Sequence, residues 1–67
     1  MYIVKKDFVF PNNMTKKEIA DKVGIAYETM VKILNRKQQC RKVVAYSIAK
    51  HINQNKEIEN YFDIVED

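Results

Sequence analysis

Between Glu28 and Glu57 the chain carries no acidic residue, and that interval holds Lys32, Arg36, Lys37, Arg41, Lys42, Lys50 and Lys56. Cationic side chains at this density make a positive field, whose chemistry is attraction of a polyanion rather than bond making. Lys and Arg neutralise phosphates, and Lys on a helix in a groove can also donate to base edges. The two signs are segregated along the chain. Residues 1–55 hold eleven basic and four acidic groups; residues 56–67 hold one basic and five acidic. The plainer alternative is a solvated Lys-rich surface. The acidic tail suits either reading, as a solubility feature or as a means of keeping that end off a polyanion.

Other chemistries find no support. Ser47 is the sole serine and falls inside a helical pattern, so no nucleophilic triad can be assembled. One cysteine and one histidine (Cys40, His51) exclude an internal disulfide and a Cys/His zinc set. No paired carboxylates and no phosphate loop are present. The expectation is a non-enzyme without metal, cofactor or small-molecule ligand. Cys40 lies among bases, which would lower a thiol pKa, and His51 reads as a surface or semi-buried helix residue.

Sixty-seven residues make one small domain, too small for a large enclosed active site. At 46% apolar and 31% charged residues, with net charge +3, the composition is that of a globular chain. No stretch approaches the roughly 20 apolar residues of a membrane helix, and no basic-then-apolar leader pattern is visible. With a single free thiol this points to the cytoplasm. The abundance of Lys, Ile and Asn fits an AT-rich coding source such as a phage or mobile element.

The elements that must position the basic groups can be read from period and punctuation. Tyr2, Val4, Phe8 and Phe10 share one parity, as a half-buried strand requires, although Lys6 interrupts it and a short helix is the alternative. Pro11, Asn12 and Asn13 break the chain. Thr15 and Glu18 form a Thr-x-x-Glu capping signature, opening a helix whose Ile19, Ala20 and Val23 share a face and which ends at Gly24, the only glycine. A second helical period follows through Tyr27, Met30, Ile33 and Leu34. A third runs through Val44, Ile48 and Ile52, flanked by Ala45 and Ala49. A short segment with Ile58, Tyr61 and Phe62 completes four helices, and Phe62 to Val65 can run extended. The predicted fold is therefore mainly α: a compact four-helix domain. Its N- and C-terminal segments can pair as a small two-stranded antiparallel sheet, within one chain or between two. Residues 1–67 form a single domain, with an N-terminal extended segment (1–13), a helix-turn-helix motif (15–35), and a basic loop with C-terminal helices (36–67).

Two short helices across a glycine-bearing turn, followed by a basic loop, are a helix-turn-helix layout. Ala20 lies where the helices meet, and Ile25, Met30 and Ile33 would lock the second across the first. The segment MTKKEIADKVGIAYETMVKILNRKQQCRKVVAYSIAKHI (14–52) resembles the phage repressor and Cro type of helix-turn-helix family, with Ala20, Gly24, Ile25, Met30 and Ile33 at that family's spacing. "ILNRK" resembles the close of its recognition helix, "SIAKHI" its fourth helix and "NKEIENYF" its short fifth.

The resemblance implies sequence-specific binding of double-stranded DNA by a small transcriptional regulator, acting as a homodimer. It implies that Tyr27, Glu28 and Lys32 read base edges, with Val31 near a thymine methyl. It implies backbone contacts from Lys16, Thr29, Asn35, Lys37 and Lys42; Arg36 and Arg41 join them on charge. In hydrogen-bonding terms Lys32 suits guanine O6/N7 and Glu28 suits cytosine N4, while Glu28 equally suits an i, i+4 pair with Lys32. Three departures from the family pattern stand out. Ala26 replaces the usual capping Ser or Thr. Arg36 occupies a position commonly glycine, which points to Asn35 as the left-handed residue. The N-terminal segment is unlike the longer first helix usual in this family. The rival reading is a phage or mobile-element protein-binding module on the same fold, inhibiting or recruiting a host protein.

Overall fold

Thr15 opens the helical part of the chain. In the computed structural model, which describes residues 1–66, its backbone is extended and its hydroxyl oxygen accepts from the Glu18 N–H at 3.1 Å. Only half of the capping box forms, because the Glu18 carboxylate takes the Thr15 hydroxyl proton instead, also at 3.1 Å. Helix α1 (Lys16–Val23) ends at Gly24, whose φ of 87° lets its N–H reach Ala20 O at 2.8 Å. Helix α2 (Tyr27–Leu34) follows three residues later without a side-chain cap, as Ala26 requires.

The end of α2 departs from expectation. Asn35 is not left-handed (φ −93°); Arg36 is, at φ 60°. Arg36 N–H donates to Ile33 O at 3.2 Å and Lys37 N–H to Lys32 O at 2.9 Å, the paired bonds of a Schellman closure. This motif needs its left-handed residue one place past the cap, which is Arg36. An L-residue there costs about 1 kcal/mol relative to glycine. The Arg36 side chain offsets some of it, since Nε donates to Val4 O at 2.7 Å.

Helix α3 (Lys42–Ile52) buries Ala45, Ile48 and Ala49, with Val44 and Ile52 partly covered. The short α4 (Ile58–Tyr61) starts with the Glu57 N–H on Asn60 Oδ1 at 2.8 Å. Strands β1 (Tyr2–Val4) and β2 (Phe62–Ile64) pair antiparallel within the chain, Tyr2 opposite Ile64 and Val4 opposite Phe62. The expected strand to Phe10 is cut to three residues. Lys5 N–H still bonds Tyr61 O at 2.9 Å, but the chain then turns through Lys6 and Asp7, with Phe8 N–H on Lys5 O at 3.1 Å. Phe8 and Phe10 instead pack edge-on: Phe8 meets Tyr61 at 5.7 Å and Phe10 at 6.4 Å.

One core unites these elements. Val4, Ile19, Met30, Ile33, Ile48 and Phe62 are almost wholly buried, and the alanines at 20 and 45 let the helices approach. Fully burying each large side chain contributes about 1.5–3 kcal/mol. No buried polar side chain is present among the described residues, and no helix is long and apolar enough to cross a membrane.

Candidate nucleic-acid interface

Helix α2 has an inner and an outer face because its apolar residues recur at helical spacing. Met30, Ile33 and Leu34 turn inward against α1 and the core. That leaves Tyr27 (52% exposed), Glu28 and Lys32 outside, with Thr29 and Val31 half-buried on the flanks. The turn that sets this orientation is anchored on one carbonyl: Ala20 O accepts from both Gly24 and Ile25, at 2.8 and 3.1 Å.

Several candidate residues are brought together. Tyr27 and Lys16 line one open groove of about 470 Å³ with Thr15 and Lys17, where the start of α1 meets the start of α2. Thr29 and Arg41 share a smaller groove of about 270 Å³ with Ile25, Ile33, Gln38 and Val44 among its walls. Lys32 and Lys37 are joined through the backbone by the Schellman bond. Asn35, Lys37, Arg41 and Lys42 are exposed. Arg36 stands apart, because its Nε is turned onto β1.

Lys17 was not among the residues singled out from sequence. A signal was available: Lys16 and Lys17 occupy the first turn of α1, where the helix dipole favours acids. Two cations there are unfavourable for the helix itself and suit an external anion.

The charges near α2 are not internally compensated. The two ion pairs among the described residues are Lys5–Asp63 at 2.8 Å and Lys50–Glu57 at 3.4 Å, and neither involves α1, α2 or the loop before α3. Both draw on the acidic C-terminal stretch. Lys50 also lies 5.6 Å from the Tyr46 ring centroid. Glu28 makes no ion pair with Lys32; in the first turn of α2 it complements the uncapped helix N-terminus.

Cys40 differs from expectation. It is 5% exposed, and burial pushes its thiol up to about 11, against a weaker opposing pull from the N-terminal ammonium. Its basic neighbours Arg41 and Lys42 are exposed, so their charge is dissipated in water. His51 is exposed, with Nδ1–H directed to Ser47 O at 2.7 Å. No three His, Cys, Asp or Glu side chains converge to hold a metal ion among the described residues.

No family model matches this chain, and no curated protein and no solved structure does.

Proposed function

We propose that the protein binds double-stranded DNA sequence-specifically, with α2 in the major groove, and acts as a small transcriptional regulator of repressor or Cro type. The observation that carries this reading is the outer face of α2: Tyr27, Glu28 and Lys32 stand exposed on it, and the chain beyond continues into exposed Lys37, Arg41 and Lys42 without an acid. Lys32 and Glu28 are the base readers in this proposal, Tyr27 and Val31 the apolar contacts, and Lys16, Lys17, Thr29, Asn35, Lys37, Arg41 and Lys42 the backbone contacts.

A single module this small has limited affinity, so the reading includes a homodimer on half-sites about one helical turn apart. If each subunit neutralises three phosphates, the dimer has a log–log salt slope of about −5.

The test is fluorescence anisotropy on a duplex enriched by the protein from a randomised library, against its scrambled copy, at several salt concentrations. A preference of at least about a hundredfold that survives salt supports the reading. Weak binding that salt erases, without preference, overturns it.

A second reading has one observation in its favour. Val43 (68% exposed) and Tyr46 (50%) stand out from α3, and apolar side chains in that position suit a protein partner. Val43→Ser and Tyr46→Ser separate the two: on the DNA reading affinity for the enriched duplex is unchanged, and on the second reading capture of a protein partner is lost.

A further inference from the structure

We propose that Arg36 is a positioning residue, which acts through the Val4 carbonyl to set the far end of α2 and the loop after it; the inference rests on the DNA reading. Three observations converge. Arg36 is the only non-glycine residue with positive φ among the described residues, and its N–H is spent on Ile33 O in closing α2. Its side chain reaches across 32 positions of sequence to donate from Nε to Val4 O at 2.7 Å in a partly buried contact.

The pairing of β1 explains why that carbonyl is available. Lys5 N–H and Val65 N–H bond Tyr61 O and Met1 O, so odd-numbered residues of β1 face β2 and Tyr2 and Val4 face away. Tyr2 exchanges both backbone bonds with Cys40, at 2.8 Å each. Val4 O is taken by Arg36. The outer edge of β1 is thus held at both ends of one loop: Arg36 where it leaves α2, Cys40 just before α3. Lys37, Gln38 and Gln39 lie exposed between these anchors. The loop is fixed to the sheet at two points, and the Schellman bond carries that constraint into Lys32.

A direct phosphate contact is the competing role for a basic residue here, and chemistry separates the two. Glutamine places an amide N–H donor at the same position along the side chain as Nε but carries no charge. Methionine keeps the length and lacks the donor. Glycine removes the side chain while relieving the left-handed backbone.

The experiment measures affinity and salt slope of wild type, Arg36→Gln, Arg36→Met and Arg36→Gly on the library-enriched duplex and its scrambled copy, well below each variant's Tm. Amide hydrogen exchange at Tyr2 and Cys40 is followed in parallel without DNA. The expected result is a specific-to-scrambled ratio about tenfold lower for the Met and Gly variants, with faster exchange at both amides. The salt slope stays unchanged, and Arg36→Gln stays within about twofold of wild type on every readout. Equal losses on both duplexes for the Gln, Met and Gly variants, with a slope shallower by about 0.9 per subunit, assign Arg36 to phosphate and overturn the proposal. So does unchanged exchange at Tyr2 and Cys40 in the Met and Gly variants. A library from which wild type enriches no duplex overturns the DNA reading, a failure distinct from either result.

Discussion

The backbone N–H of Lys37 donates to the carbonyl of Lys32 at 2.9 Å, placing two lysines where a Schellman closure commonly brings two apolar side chains together. Both are exposed, and neither is in an ion pair among the described residues. An arrangement that gives up a local apolar contact for two adjacent cations makes sense when an anion completes it.

Replacing both lysines by leucine tests that trade. The Lys32→Leu/Lys37→Leu double variant regains the apolar contact and loses like-charge repulsion, so it is expected to be more stable by roughly 0.5 kcal/mol. Urea denaturation measures this, and the same variant should lose specific DNA binding. A double variant less stable than wild type contradicts the account.

Single alanine substitutions at the two positions separate reading from holding. Lys32→Ala is expected to relax base preference at one position of the site, by about 1–3 kcal/mol. Lys37→Ala should weaken all duplexes alike and make the salt slope shallower by about 0.9 per subunit. Competition binding with a set of single-base variants of the duplex distinguishes them; identical profiles would remove Lys32 from the base-reading set.

Gly24 is tested by its conformation alone. A Cβ built at this position meets nothing within 4 Å, so crowding contributes no penalty. Gly24→Ala is expected to cost about 1–2 kcal/mol from φ 87° alone, and Gly24→Asn less. Thermal unfolding of the two variants checks the order.

Cys40 makes stability depend on pH at the alkaline end. Its folded pKa, about 11, is raised above the ordinary 9.0, so the unfolded chain loses the thiol proton first. The stabilisation from the protonated buried thiol is whole below pH 9 and is lost as pH rises through about 11. Over this range urea midpoints should fall more steeply with pH for wild type than for Cys40→Ala, which lacks the thiol. The native thiol should also resist alkylation at neutral pH.

The helices were legible from sequence because their signals are local. Thr15 with Glu18, the single glycine, and Met30 with Ile33 each declare themselves within a few residues. The sheet was half legible: side-chain parity predicted extended backbone from Tyr2, but where it stops depends on Tyr61, which lies far away in sequence. The left-handed residue after α2 is hidden for a related reason. A left-handed position is recognised by glycine or asparagine, and nothing local shows that an arginine there is held by the carbonyl of Val4. Counting the bases beside Cys40 points to a lowered thiol pKa but ignores burial, which dominates here.

The pairing of β1 with β2 also governs the order of folding. Tyr2 meets Ile64 only after nearly the whole chain is gathered, a closure that costs roughly 3–4 kcal/mol in chain entropy. The contacts of α1, α2 and α3 span far shorter separations and are expected to form first. During synthesis β1 is made well before residues 62–64, and it has no strand partner until they have emerged. A nascent chain lacking them has an unfinished sheet, with Val4 still without Phe62 opposite it.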